Sequence, residues 1–330
     1  MVHQGSGRSV SRETSTAVPA RGTSQEGAPV NGAVSRETGT RDTPIARAAE
    51  AAMTAMGRGN DNQWPRPEQC RVITVANQKG GVGKTTTAVN IAAALAFHGA
   101  RVLMVDLDPQ GNASTALSVE HGEETPSVYG VLAENKPLLE AMAPVEQVPN
   151  LWCVPATIDL AGAEIELVSF VARESRLCRA LLAYETEEFD YILIDCPPSL
   201  GLLTVNALVS AHEVLIPIQC EYYALEGLGQ LLHNIDLVKA HLNPRLNLST
   251  IVLTMYDGRT RLAAQVADEV RQYFGDEVVL QSTIPRSVRV SEAPSYGQSV
   301  MTYDPGSSGA MSYLDAAREI AHKNGGGKDQ

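Results

Sequence analysis

The 330-residue chain contains no apolar run of the ~18 residues that a spanning helix needs, and its first residues lack the apolar stretch of a secretory leader. Neither a membrane-embedded nor an exported protein is therefore expected. Its five cysteines, Cys70, Cys153, Cys178, Cys196 and Cys220, form no CxxC pair. That argues against a zinc ribbon or a secreted disulfide framework and fits a reducing cytoplasm. The seven histidines show no metal-ligand spacing. Positive charge is also short: the net charge of −12 argues against a globally basic, DNA-coating protein while leaving room for a local basic patch.

What is present is 44% hydrophobic residues against 19% charged ones, enough to build a core. The material is unevenly spread. Residues 1–40 are rich in Gly, Pro, Ser and Thr and hold no Phe, Trp or Tyr. Such a segment buries too little apolar surface to offset its ordering entropy, so residues 1–70 are expected to be a disordered extension. Within it Val-Ser-Arg-Glu-Thr occurs twice, at Val10–Thr14 and Val34–Thr38, a biased-composition coincidence or a short docking motif. Thr43 as N-cap, Pro44 at the first helical position and Gly57 as a stop predict one short helix over 43–57. A flexible tail is expected over 323–330.

From Arg71 to about residue 322 the texture changes. Short apolar runs recur at Val72–Ala76, Val102–Val105, Leu151–Val154, Tyr191–Ile194, Val214–Ile218 and Ile251–Leu253. Helical segments such as Thr86–Phe97, Leu160–Ala172 and Leu225–His241 lie between most of them. The alternation predicts an α/β domain: a doubly wound, mainly parallel sheet with helices on both faces.

The first strand runs into Asn77-Gln78-Lys79-Gly80-Gly81-Val82-Gly83-Lys84-Thr85-Thr86. Glycines let backbone N–H groups turn around a polyphosphate, and the following helix offers its N-terminus to the same anion. Lys84 supplies a charge for the β- and γ-phosphates, and the Thr85 hydroxyl is placed for Mg²⁺. The ordinary pattern needs Gly at position 78, where this chain has Gln, so the loop is the variant KGGxGKT with a second lysine, Lys79. The second strand ends in Asp106-Leu107-Asp108, two alternating acids placed to face magnesium and an attacking water. Tyr191–Asp195 reads as a Walker-B strand whose carboxylate reaches Mg²⁺ through water. The three elements share one chemistry, phosphoanhydride hydrolysis driven by positioning and charge neutralisation.

These blocks, together with Leu160–Val168, Asp195–Leu203, Gln219–Leu228 and Ile284–Gly297, resemble the ParA/Soj family of chromosome-partitioning ATPases, P-loop NTPases of the deviant Walker A type. The resemblance covers about residues 71–320. It implies an ATP-bound sandwich homodimer in which Lys79 of one subunit contacts the phosphates held by the other. It implies that Asp108 orients the hydrolytic water, with Asp106 supporting the metal shell and Asp195 completing it, and that Pro285 flanks the adenine. It further implies a cytoplasmic, nucleoid-associated cycle. The ATP dimer binds double-stranded DNA without sequence preference, and a ParB-type centromere-binding partner stimulates an intrinsically slow hydrolysis and releases it. Arg259, Arg261, Arg286 and Arg289 are the DNA-contacting candidates, in salt-sensitive phosphate contacts. The extension is expected to reach a polar scaffold or the ParB-type partner.

Three other classes share such a phosphate loop. A membrane-cycling, MinD-like protein needs a basic amphipathic C-terminal helix, which Ser312–Lys323 does not supply. A nitrogenase-type iron protein needs cysteines placed to hold a cluster between subunits, a pair that the isolated Cys153, Cys178 and Cys196 do not advertise. An ATP-switched regulator of replication initiation or division, acting through protein partners, remains as the alternative.

Overall fold

Eight strands form one sheet: β1 (Arg71–Val75), β2 (Val102–Asp106), β3 (Ala143–Pro144), β4 (Leu151–Val154), β5 (Tyr191–Asp195), β6 (Glu213–Gln219), β7 (Asn247–Tyr256) and β8 (Val279–Pro285). Their order in the computed structural model is β3-β4-β2-β5-β1-β6-β7-β8, and every pairing is parallel except β3 with β4. The structure describes residues 44–57, 64–184, 188–222 and 228–323, all within one unit beginning at Asp42. The repeated pentapeptide, Tyr223 and the tail beyond Lys323 lie outside the described residues.

The sheet is doubly wound because its strands are apolar on both sides. Successive side chains face opposite layers. Val72, Leu103, Val105, Ile192 and Ile194 enter one core with the helices Leu160–Leu167, Arg176–Ala183, Leu202–Ser210, Leu228–His241 and Arg261–Phe274. Ile73, Val75, Val102, Met104 and Leu193 enter the other with the helices Lys84–Phe97 and Ser308–His322. Each fully buried aliphatic side chain of this kind contributes ~1.5–3 kcal/mol.

The six expected strands are all present, most extended by a residue or more. Two are additional. β3 is a two-residue bridge to β4, too short to leave a pattern. β8 carries Gln281, Ser282 and Thr283 in its centre, so its apolar run is broken; it is an edge strand. Two adjacent N–H groups of this strand are taken by Glu319 of the C-terminal helix, which accepts from Gln281 N at 2.8 Å and Ser282 N at 2.7 Å. A carboxylate that occupies an edge in this way also blocks pairing with another chain. The segment expected to be helical to Ala172 stops at Leu167, and Ala172 adopts a left-handed φ of 52° before a 3₁₀ turn at Arg173–Ser175.

The N-terminal helix is Pro44–Ala55. Ala55 is fully buried in the core of the Lys84–Phe97 face. The Thr54 carbonyl contacts His98 Nε2 at 3.1 Å, and Trp64 stacks on the His98 ring at 3.9 Å. Thr54 and Trp64 thus both contact His98 at the C-terminal end of the helix that follows the phosphate loop.

Candidate functional site

The strand order reverses at β1, and the candidate site lies there, at the carboxyl ends of β2, β5 and β1. This is where open α/β sheets bind ligands. Val75 is the register partner of Asp195, and Asp195 is the register partner of Asp106. Three motifs far apart in sequence therefore end side by side.

The phosphate loop is shaped by glycine conformation and by bonds from neighbouring strands. Gly81 and Gly83 take φ of 76° and 88°, a left-handed region that a side chain disfavours. A Cβ on Gly80 or Gly81 would meet nothing within 4 Å, so the loop's concave side is open. Asn77 Nδ2 donates to Pro217 O at 2.8 Å and Asn77 Oδ1 accepts from Lys79 N at 3.0 Å, tying the loop to β6. Thr254 Oγ1 donates to Val82 O at 2.8 Å, tying it to β7. Gly83 is the N-cap of Lys84–Phe97 and has no side chain to accept the first helical N–H groups, which therefore point into the cleft.

That cleft encloses about 490 Å³. Gly80, Gly81, Gly83, Lys84, Thr85, Thr86 and Asp108 line it. Lys84 is buried; burial lowers its pKa, and Asp195, Cys196 and Asp108 act in the opposite direction. Val82 is buried behind the loop. Asp106 and Asp195 are fully buried and lie beneath the cleft rather than on its wall.

The two buried carboxyls have opposite surroundings. Asp106 Oδ2 accepts from Ser114 N at 2.9 Å and Ser114 Oγ at 2.7 Å, and Oδ1 accepts from Asp108 N at 3.1 Å. Burial raises its pKa to about 6, with those hydrogen bonds opposing and the Asp108 charge adding to the rise. It pins the turn that carries Asp108. Neither oxygen of Asp195 has a hydrogen-bond partner among the described residues. Burial pushes its pKa well up, Asp106 adds to this, and the Thr85 hydroxyl and Lys84 favour the charged form. An orphaned buried carboxylate beside a threonine hydroxyl is a donor set that fits a hydrated hard cation such as Mg²⁺. Among the described residues no group of three or more His, Cys, Asp or Glu makes a self-sufficient metal cage, so the remaining ligands would be phosphates and water.

Several cleft residues were not singled out from sequence. Asn90 Oδ1 accepts from Val300 N at 2.7 Å, and its Nδ2 donates to Thr86 O at 2.7 Å. Met255 has a left-handed φ of 50° and lines the wall, as do Pro294 and Gln298. Met255 lies within β7 where its pairing with β8 is irregular, and no sequence pattern marks it. Pro285 ends β8 beside Tyr256 and is not on the cleft wall; the prolines there are Pro198 and Pro294.

Lys79 is not on the wall of its own cleft. Its Nζ lies 3.8 Å from Glu221, whose other oxygen meets Arg286 Nη2 at 3.3 Å. Arg286 N also donates to Tyr256 O, which brings it beside Asp257 and Arg259. Arg259 makes two 2.9 Å hydrogen bonds to Asp257 and holds that carboxyl down at about 2. Arg289 lies 3.3 Å from both Glu292 and Asp304. Arg261 opens the helix Arg261–Phe274 and is exposed. The four arginines thus gather at the carboxyl ends of β7 and β8, three of them already facing acids.

A variant phosphate loop, a Walker-B aspartate and a buried lysine at the switch point of a parallel sheet define a P-loop nucleotide-binding protein. Residues 70–248 match the family described as AAA domain. The chain is similar to the sporulation initiation inhibitor protein Soj of Bacillus subtilis, 54% identical over 251 residues, 76% of this chain and 98% of that one. It is 53% identical to the chromosome partitioning protein ParA of Myxococcus xanthus over 270 residues, 82% of this chain and 93% of the relative. Among solved structures, the cell division ATPase MinD of Pyrococcus furiosus is 29% identical with a TM-score of 0.62, covering 76% and 98% of the two chains. A Mycobacterium smegmatis structure described as cobyrinic acid a,c-diamide synthase with bound ADP and magnesium is 40% identical with a TM-score of 0.66, covering 76% and 94%. The chain belongs to the Soj/ParA family of chromosome-partitioning ATPases. Among the described residues no helix is long and apolar enough to cross a membrane.

Proposed function

We propose that this protein is a DNA-segregation ATPase, whose ATP-bound sandwich dimer binds DNA non-specifically and is released when a ParB-type partner stimulates hydrolysis. The observation that carries the reading is the placement of the two loop lysines: Lys84 lines the cleft, whereas Lys79 is held outside it by Glu221. A lysine so placed is available to phosphates bound by a second subunit.

In this reading the loop N–H groups and Lys84 bind the triphosphate, and Asp108, steadied by Asp106, orients the water for in-line attack on the γ-phosphorus. Burial excludes bulk water and strengthens these charge interactions. Thr85, Asp195 and Asp108 would hold magnesium, which would supply charge neutralisation on the phosphates. No covalent intermediate is required.

The four arginines at the ends of β7 and β8 form the DNA face. Exposed ion pairs are worth ~0–1 kcal/mol, so their carboxylates can be exchanged for DNA phosphates. The test is retention of a random-sequence duplex with ATP, ADP and no nucleotide across a salt series. Retention only with ATP, weakening steeply with salt and lost in Arg286→Ala/Arg289→Ala, is expected. Absence of binding with every nucleotide would favour instead an ATP-switched regulator whose target is a protein. The extension is assigned to a polar scaffold or the ParB-type partner; unchanged cellular localisation after deletion of residues 1–60 would remove that assignment.

A further inference from the structure

Away from the nucleotide cleft, Arg176 is a buried cation that the ATPase cycle does not use. It opens the helix Arg176–Ala183, and its guanidinium is fixed on three sides. Nε donates to Leu132 O, while Nη2 donates to Asn135 Oδ1 at 2.7 Å and reaches Ala133 O at 3.4 Å. Its face lies over the Phe170 ring, 4.7 Å from the centroid. Every one of these partners is neutral, and no carboxylate pairs with Arg176 among the described residues. Burial lowers its pKa and the charge of neighbouring Arg179 acts the same way.

Arg176 lines a cavity of about 420 Å³, together with Arg179 and Lys136 and the apolar side chains of Val131, Leu138 and Ala180. The rim is preformed. Glu134 N and Lys136 N both donate to Gly130 O, at 3.1 and 3.0 Å, and Asn135 takes a left-handed φ of 57°. Lys136 Nζ is occupied by Glu134 at 2.7 Å, whereas Arg179, which is exposed, has no ion-pair partner among the described residues.

The carbonyl dipoles of one short helix end offset part of the cost of desolvating the guanidinium, and an opposite charge in the cavity would offset more. A guanidinium locked along Nε and Nη2 keeps Nη1 as its outlet, and such groups recognise carboxylate and phosphate oxygens. Cavities of this size with apolar walls and a few fixed polar groups are typical of small-molecule sites. We propose that the cavity between the turn 134–137 and the helix Arg176–Ala183 is a second ligand site, separate from the nucleotide cleft, that takes a small organic anion: a phosphate or carboxylate on a compact apolar body. The acid meets Arg176 and Arg179, and the apolar body lies against Val131, Leu138 and Ala180.

Calorimetric titration of the full-length protein, saturated with magnesium and a non-hydrolysable ATP analogue so that the cleft is filled, tests this. The probes are phenyl phosphate, benzoate and inorganic phosphate. Saturable binding of phenyl phosphate or benzoate is expected, at least about ten-fold tighter than inorganic phosphate, and the tighter of the two identifies the acid. Arg179→Ala, at an exposed position, and Ala180→Leu, which fills the cavity, are each expected to weaken it about ten-fold, with unaltered melting temperature as the check on folding. Failure of both organic probes to bind, binding no tighter than that of inorganic phosphate, or binding unchanged in both variants overturns the proposal.

Discussion

Asp106 and Asp195 stand as register partners at the ends of β2 and β5, both fully buried, yet one carboxylate accepts three hydrogen bonds and the other has no hydrogen-bond partner among the described residues. The contrast separates two roles that sequence alone assigns to the same metal shell. Asp106 is bound to its own turn; Asp195 is left open toward Thr85.

The consequence is an opposite response to neutralisation. Asp106→Asn replaces an acceptor of three hydrogen bonds and is expected to destabilise the apo-protein by ~1–3 kcal/mol. Asp195→Asn removes a carboxyl whose charged form is penalised by burial, so the apo-protein melts at an equal or higher temperature. It loses most of the additional stabilisation that magnesium gives over ATP alone. Thermal melts with and without Mg²⁺ check both.

A second prediction concerns Arg71 and Glu213, a buried pair joined by bonds of 2.6 and 2.8 Å at the opposite end of the sheet. Arg71 Nη1 also donates to Ile320 O at 2.7 Å, so the pair fastens the C-terminal helix to β1 and β6. Burial works to raise the Glu213 pKa, but Arg71's hydrogen bond and charge outweigh it and the net shift is downward. A depressed carboxyl contributes stability above its unfolded value, about 4.5, and that contribution is lost as pH falls through the lower folded value. Denaturant midpoints should therefore drop below that pH, and less steeply in Glu213→Gln. At neutral pH that variant, leaving Arg71 buried and unpaired, is expected to lose ~3–5 kcal/mol.

The DNA face yields a third. Glu221 lies between Lys79 and Arg286, and Asp257 neutralises Arg259. Glu221→Gln and Asp257→Asn should each strengthen ATP-dependent duplex retention by releasing an arginine. Arg259→Ala should reduce the slope of log affinity against log salt by ~0.9 for each DNA phosphate that the arginine neutralises. A slope unchanged in Arg259→Ala, Arg286→Ala and Arg289→Ala would place the DNA elsewhere.

The contact of Gly57 with the helix Lys84–Phe97 provides a fourth. Gly57 has φ of 63°, and a Cβ there would sit 2.1 Å from the Phe97 carbonyl oxygen. Gly57→Ala is therefore expected to lift the helix Pro44–Ala55 from the body, with a left-handed backbone penalty of ~1–2 kcal/mol on top of the clash. Of the two tryptophans, Trp64 stacks on His98 and would report the release by its emission, while the main unfolding transition stays in place.

Much of the fold and of the nucleotide site can be read locally. A glycine-rich loop between an apolar strand and a helix specifies a phosphate cradle, because glycine accepts the left-handed turns at Gly81 and Gly83 without the strain that a side chain brings. Aspartates closing apolar runs mark strand ends, and alternating apolar strands and helices specify a parallel sheet. β8 escaped because its polar centre is satisfied by Glu319, a residue far along the chain. Only the tertiary structure decided that, among the described residues, Asp106 would be saturated and Asp195 orphaned, that Lys79 would lie off the wall of its own cleft, and that Arg176 would be buried without a carboxylate. Those outcomes depend on which strand ends and loops become neighbours. Residue type and local spacing determine what chemistry a side chain can perform; the packing of distant segments determines which charges are compensated and which remain open.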